Sequence, residues 1–222
     1  MFSLRQFIFL ATVVAMASAH MRFLDPPGRP SLWRFEEYNY LNPVIVGNDD
    51  EMWCANIRQN VVDNRCGVCG DPVSAPTPRP YEYGGSAWRD VVVRNYTAGQ
   101  MIPLYLQSYA PHGGGLEIQL CNRVPETEDC FQTLMLSNGD NMWQMSLGGG
   151  DFELHFSAQL PAGVTCDRCV LRFHWRGAQN WGTCENPPSR ICECDYNSGN
   201  PPGGHGCGEQ QTFRACADIS IH

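Results

Sequence analysis

Short segments in which apolar and polar residues alternate recur along the second half of the chain, with Gly, Pro and Asn between them. Five such segments place their apolar side chains on one face, around Leu104, Ile118, Leu154, Phe173 and Ala215. A period of two is typical of half-buried strands, and several short strands separated by turn residues indicate a sandwich of two sheets. The pattern therefore predicts an all-β fold, an immunoglobulin-like or fibronectin-like antiparallel β-sandwich.

The stretch from His20 to about Gly85 differs, because it is rich in Pro, Gly and aromatic residues and shows little periodicity. A long irregular segment in a compact domain usually carries function or is held by cross-links. We expect long disulfide-pinned loops here, with no more than a turn or two of helix. No composition shift divides the chain, so we expect residues 20–222 to form a single domain.

The 12 cysteines are too many for a reducing compartment and indicate disulfides in an oxidising one. Their spacing does not determine the pairing. The Cys66–Cys69 and Cys166–Cys169 spacings also resemble zinc knuckles, but disulfides are the default in a secreted chain.

Residues 1–19 have the features of a secretory signal: a basic Arg5, the apolar run Phe7–Ala17 and the small residues Ala17-Ser18-Ala19. The run is too short to span a bilayer, which takes roughly 20 residues. We therefore expect a secreted, extracellular protein whose mature chain begins at His20. Asn95-Tyr96-Thr97 is an acceptor sequence for N-glycosylation.

The charge balance is acidic, with 15 Lys+Arg against 23 Asp+Glu, a net charge of −8 and a pI near 5.1. Nucleic acids and anionic membranes attract basic surfaces. The composition therefore argues against both as partners, and we expect a monomer.

A chain that begins at His20 carries two nitrogen donors on one residue, the α-amine and the imidazole. The amine loses its proton near neutral pH, so a metal ion can displace it. A second imidazole would complete a set of three nitrogens, an arrangement that suits Cu(II).

Five other histidines are candidates for the second imidazole. His112 ends a predicted strand and enters a glycine turn, where we expect it to be exposed with room for a ligand. His155 and His174 lie mid-strand, opposite the apolar face, where surface or hydrogen-bonded side chains are expected. His205 lies in a Gly/Pro loop and His222 is the last residue. Position favours His112 without deciding the question.

With these histidines in place, the chain resembles a lytic polysaccharide monooxygenase of auxiliary activity family fifteen, also called a chitin-binding type-4 domain. The resemblance runs through almost the whole of residues 20–222, in the order of the family. The matching stretches are HMRFLDPPGRPSLW from His20, CGVCGD from Cys66, Glu82–Gly85, Ala110–His112, LPAGVTCDRC from Leu160, NWGTC from Asn180 and CGEQQTFRACADI from Cys207.

The resemblance implies two packed sheets with one copper ion at a flat end, held in a histidine brace by His20 and His112. By position, Phe213 matches the axial aromatic residue, although it also shares the apolar face of its strand. Ala110 matches a small residue on the other axial side. Pro111 departs from the family, which usually has Asn there.

A polar group beside the copper should steer protonation, and Gln211, two residues before Phe213, is our candidate ahead of Gln210. The implied activity is oxidative cleavage of glycosidic bonds in an insoluble polysaccharide, chitin first and cellulose next. Hydrogen is abstracted at C1 or C4, with an external electron donor and H₂O₂ or O₂ as co-substrate.

Other functions remain open. A non-catalytic chitin- or cellulose-binding protein would stack aromatic rings on sugars, for which Trp33, Trp88, Trp143 and Tyr109 are available. A copper carrier would bind the metal alone. A hydrolytic glycosidase needs two carboxylates at a set separation. The acidic run that begins at Asp49 reads as a solvated face, not as such a pair.

Overall fold

The computed structural model describes residues 20–47, 49, 66–110, 112–147 and 153–222. The proposed signal at 1–19, Cys54 and Pro111 lie outside these ranges. The strands are β1 His20–Asp25, β2 Arg94–Tyr96, β3 Met101–Ala110, β4 His112–Cys121, β5 Gln132–Thr133, β6 Met135–Leu136, β7 Trp143–Leu147, β8 Glu153–Gln159, β9 Cys166–Arg176, β10 Trp181–Thr183, β11 Glu193–Asp195, β12 Gly203–His205 and β13 Thr212–Ile221.

Helical structure in the described ranges consists of short 3-10 turns at Arg29–Arg34, Glu36–Leu41 and Glu128–Cys130. The first two lie inside the irregular segment, where the sequence predicted them. None of the helices in the described ranges is long and apolar enough to cross a membrane.

Two large sheets form the sandwich. One has the order β1-β3-β8-β6, and the other has the order β2-β13-β9-β4-β5, with β7 also pairing with β4. The predicted β-sandwich is confirmed, with one difference: β2 runs parallel to β13 at the edge of the second sheet. A third, small sheet has the order β10-β12-β11.

The inner faces of the two large sheets form the core. Phe23 on β1 meets Phe173 on β9 edge to face, with ring centroids 6.0 Å apart. Along β3 every second residue from Ile102 to Ser108 is buried, as the period of two predicts, whereas β4 is buried throughout its first five residues and alternates only after Leu116. Each buried side chain of this size contributes roughly 1.5–3 kcal/mol of transfer free energy, so this core holds the sheets together.

The irregular segment is fastened to β13 by a disulfide and by a buried ion pair. Cys69 is bonded to Cys216 across 147 positions of sequence. The Arg29 guanidinium donates to Asp218 on β13 at 2.8 Å and also to Glu126. All three charged side chains are almost fully buried, so their mutual pairing compensates the cost of removing them from water.

Four further disulfides join Cys121 to Cys130, Cys166 to Cys169, Cys184 to Cys194, and Cys192 to Cys207. The described residues contain no free cysteine. Cys69, Cys166 and Cys169 are consumed in disulfides, so the two zinc-knuckle spacings do not form zinc sites. The last two cross-links hold the small sheet.

Candidate metal centre

The two candidate ligands lie where the chain passes from one large sheet to the other. His20 begins β1 and is paired through its backbone with Ala110, the last residue of β3. His112 begins β4 only two residues later, in the opposite sheet. The antiparallel register therefore brings the start of the proposed mature chain beside His112.

The glycines after His112 belong to strand β4, so the predicted glycine turn is wrong. Gly113 and Gly114 have φ values of +63° and +89°, which only glycine adopts without strain. A Cβ at Gly114 would lie 2.0 Å from the carbonyl oxygen of Arg176, so the neighbouring strand also excludes a larger residue. These two glycines let β4 bend and remain paired.

His112 is buried, with 6% of its surface exposed, whereas the sequence predicted an exposed side chain. The reason is tertiary, because β7 pairs with β4 and places Leu147 opposite His112. On the other side, the N–H of Ala178 donates to the His112 carbonyl oxygen at 2.9 Å.

The His112 imidazole is oriented by a pair of glutamines. Its Nδ1 lies 3.2 Å from Gln211 Oε1, and Gln179 Nε2 donates to the same oxygen. Because an amide oxygen only accepts, the proton of the imidazole is placed on Nδ1. Nε2 is then the nitrogen that carries the lone pair, as a metal ligand requires.

Gln211 therefore lies against His112, and its role beside a metal ion stays a prediction. Gln210, the weaker candidate, is fully buried and accepts from the Asn180 N–H at 3.0 Å. Its amide donates to the carbonyl oxygens of Asn180 and Cys207. The two adjacent glutamines thus face different parts of the structure.

Phe213 lies in the core, with 1% of its surface exposed. Its ring centroid is 4.9 Å from that of Trp175, and Trp175 lies 6.3 Å from the His112 ring. The Trp175 indole N–H donates to the Gly113 carbonyl oxygen at 2.9 Å. Trp175 is the residue that sequence reasoning missed at this site. Its alternation with Leu171 and Phe173 marked it only as a core residue.

The remaining histidines have other partners. His155 stacks on Tyr105 with centroids 4.3 Å apart, and His205 Nδ1 lies 3.1 Å from the Gln179 carbonyl oxygen. Burial and the nearby arginines 214, 172 and 176 lower the pKa of His174 well below its ordinary value. His174 is thus neutral and accepts from Arg214 Nε at 2.9 Å.

The sequence predicted that the acidic run beginning at Asp49 is exposed to solvent, but Asp49 itself is not. Asp49 is buried and accepts from Arg22 and Arg34, each at 2.6 Å. Burial raises the pKa of Asp49, but the hydrogen bonds from the two arginines outweigh it and the pKa is lowered overall. Asp50 and Glu51 lie outside the described residues. A carboxylate held in this way is a poor proton donor for glycoside hydrolysis.

These donors fit a copper ion. Copper(II) favours imidazole nitrogens, and the Gln211 contact presents His112 in the tautomer that binds metal through Nε2. In contrast, the cluster of Cys184, Cys192 and Cys207 sulfurs is tied up in disulfides. Taken together, the fold and this site define a β-sandwich protein with a candidate histidine metal centre at the junction of its sheets.

Comparison with known proteins identifies the family. A family model described as lytic polysaccharide mono-oxygenase, cellulose-degrading, matches residues 20–219. The chain is 36% identical to the AA15 lytic polysaccharide monooxygenase from Thermobia domestica, solved in the Cu(I) state, with a TM-score of 0.76. That match covers 91% of this chain and 98% of the other. The protein therefore belongs to the lytic polysaccharide monooxygenases, and within them to auxiliary activity family fifteen.

More distant structures share the fold alone. A chitin-binding domain from Burkholderia pseudomallei is 9% identical, with a TM-score of 0.52 over 92% of this chain and 100% of that one. A lytic polysaccharide monooxygenase from Cellvibrio japonicus is 10% identical, with a TM-score of 0.50 over 90% and 99%. None of the curated protein sequences matches the chain. Family membership makes the protein a copper monooxygenase that degrades polysaccharides oxidatively.

Proposed function

We propose that the protein is secreted after removal of residues 1–19 and uses His20 and His112 to hold one copper ion in a histidine brace. The amine and Nδ1 of His20 and Nε2 of His112 would be the three nitrogens. The observation that carries this proposal is the contact of His112 Nδ1 with Gln211. His112 begins β4, two residues after Ala110, which pairs with His20. The disulfides and the exposed acceptor residue Asn95 are consistent with secretion.

When bound, the copper supplies one-electron redox chemistry between an external electron donor and H₂O₂ or O₂, which removes hydrogen at C1 or C4 of the sugar. The residues around it have separate tasks. Gln211 keeps the proton on His112 Nδ1 and orients the ring. Phe213 and Trp175 pack into an apolar wall near His112, and Phe213 would be the aromatic residue that shields the ion. Such a wall excludes water from that side and limits wasteful oxidation.

The proposed substrate is an insoluble polysaccharide, chitin first and cellulose next. An acidic protein is not repelled by neutral glycans and attracts chitin that carries protonated amines. The family is described as cellulose-degrading, and one protein of similar fold is a chitin-binding domain. Both glycans are therefore tested as substrates.

The decisive experiment compares wild type with His112→Ala on chitin and on cellulose, each with copper and ascorbate. Mass spectrometry of the soluble products should show oxidised oligosaccharides with wild type and none with the variant. His155→Ala is the matched control, since His155 stacks on Tyr105 away from Gln211. The positions of the oxidised carbons distinguish C1 from C4 attack.

Other outcomes would support the rival functions. Strong binding to the polysaccharide with no oxidised product, despite bound copper, would favour a non-catalytic binding protein. Copper binding without affinity for either solid would favour a copper carrier. A mature chain that starts at any residue other than His20 would remove two of the three proposed nitrogens and overturn the brace.

A further inference from the structure

The small sheet has an outer face that the proposed metal centre does not use. Trp181 on β10 and Glu193 on β11 are both paired with His205 on β12, so the three form one row across the sheet. Thr183 and Asp195 pair with Gly203 in the row two residues away. Residues in register, and residues two apart along a strand, share a face. We call this surface, made of Trp181, Thr183, Glu193, Asp195, Gly203 and His205, the indole face.

An exposed tryptophan dominates the indole face. Trp181 is 57% exposed, and its ring meets His205 edge to face at a centroid distance of 5.2 Å. A Cβ at Gly203 would lie 2.5 Å from Trp181 Nε1, so the indole lies across the backbone of the central strand. The absence of a side chain at Gly203 therefore lets the ring rest on the sheet with a face open to solvent. A rigid, open ring face is suited to stacking on the apolar face of a sugar.

The segment that carries Trp181 is joined to the proposed metal centre. Gln210 makes two hydrogen bonds to the backbone of Asn180, the residue before Trp181. Its neighbour Gln211 contacts His112. Gln179 reaches both sides, because its amide donates to Gln211 and its carbonyl oxygen accepts from His205 Nδ1. A glycan on the indole face would thus be held by the same hydrogen-bonded unit that orients His112.

The charge of the face points to the kind of glycan. Glu193 and Asp195 are exposed, and neither forms an ion pair within the described part of the chain. Between residues 179 and 211 the one Lys or Arg is Arg190, which is paired with Asp140. Strand spacing puts β11 about 10 Å from β10, so the carboxylates would meet sugars beyond the one stacked on Trp181. Two carboxylates beside an aromatic platform favour a chain that carries cationic groups.

We propose that the indole face docks a polysaccharide with free amino groups, that is, partly deacetylated chitin. Trp181 stacks on one sugar, and Glu193 and Asp195 attract protonated amines on neighbouring sugars. This inference rests on the proposed function for its glycan substrate, and it assigns the residues that choose among glycans.

The test is binding of the copper-loaded mature protein, without reductant, to highly acetylated chitin, partly deacetylated chitin and cellulose at low and high salt. Trp181→Ala should weaken binding to partly deacetylated chitin about tenfold. Tyr196→Ala is the matched control, because Tyr196 is also an exposed aromatic residue and follows β11 but lies outside the indole face. If Trp181→Ala unfolds, as its thermal midpoint would show, Trp181→Phe replaces it and should bind more weakly than both wild type and the Tyr196→Ala control.

The double variant Glu193→Gln, Asp195→Asn should lose the preference for deacetylated chitin and most of the salt dependence, while binding to cellulose stays unchanged. Asp167→Asn, an exposed acid on β9, is its control. Binding by Trp181→Ala equal to wild type, or an unchanged preference in the double variant, would overturn the proposal. Oxidised products from wild type are measured in parallel. If they are absent while the binding results hold, the proposed function fails and the docking face stands.

Discussion

The imidazole of His112 and the side-chain amide of Gln211 face each other at 3.2 Å although 99 positions separate them in sequence. The first begins β4, and the second lies just before β13 in the same sheet. Gln211 accepts from Nδ1, and this places the lone pair of the ring on Nε2, the nitrogen that we propose binds the metal. Gln211 is not a proposed ligand, but through this contact it sets the tautomer and the orientation of His112, which is one.

Removing that contact should weaken copper binding. We expect Gln211→Ala to lower the Cu(II) affinity by about 10- to 100-fold, because the imidazole loses both its fixed tautomer and its orientation. Isothermal titration calorimetry measures the change. Gln132→Ala, an exposed glutamine on β5, is the control and should bind copper like wild type. An affinity for Gln211→Ala equal to that of the control would show that Gln211 does not position His112.

Gly114 should tolerate no side chain. Gly114→Ala combines a φ of +89° with a contact at 2.0 Å to the Arg176 carbonyl oxygen, and we expect a loss of about 2–4 kcal/mol in the free energy of unfolding. Gly139→Ala is the matched control, since Gly139 has a φ of +80° with no atom within 4 Å. It should cost about 1 kcal/mol from backbone strain alone. Chemical denaturation measures the free energy of unfolding of both variants, and the difference between them is the cost of the close contact at Gly114. Equal losses would show that the structure relaxes to relieve that contact.

The buried Asp71 should make stability depend on pH. Burial raises its pKa from 3.8 to about 6, against the hydrogen bond from the Tyr81 N–H, which lowers it. Because the folded pKa is the higher one, the stabilising contribution is complete below pH 4 and is lost as the pH rises through 6.

The variant Asp71→Asn cannot ionise and should not show this loss. We expect the unfolding free energy of wild type, relative to Asp71→Asn, to fall on the order of 2–3 kcal/mol between pH 4 and pH 7. Denaturant unfolding of both proteins across that interval measures it. A difference that does not change with pH would contradict the raised pKa.

The Arg29 ion pairs should be essential for the attachment of the irregular segment. Arg29→Met would leave Glu126 buried without this counter-charge and Asp218 with Arg168 at 3.5 Å, for which we expect a loss of about 3–5 kcal/mol. Arg123→Met removes an exposed ion pair with Asp129 and should cost less than about 1 kcal/mol. Thermal and denaturant unfolding report both. Similar losses in the two variants would mean that burial adds nothing to the Arg29 interaction.

Local pattern predicted the strands well. Residues such as Leu104, Ile118 and Phe173 alternate with polar neighbours, and alternation alone is enough to place one face of a strand inward. The parallel pairing of β2 with β13 was not predicted, because the sequence around Arg94–Tyr96 is too short to show a period. The burial of His112 was also missed, since it depends on β7, which approaches from elsewhere in the chain.

At the proposed metal centre, too, some features could be predicted from the sequence and others depend on tertiary contacts. The sequence alone predicts His20 as a metal-binding terminus, and the family resemblance adds His112 as its partner and Gln211 as a nearby polar group, because these predictions depend on residue type and motif. It did not reveal that the Trp175 ring lies near both His112 and Phe213, that Asp49 is buried between two arginines, or that Cys69 is bonded to Cys216. Such contacts join residues far apart in the chain, and a period or motif contains no information about distance across a sheet. They are determined by strand register and packing, which exist only once the whole chain has folded.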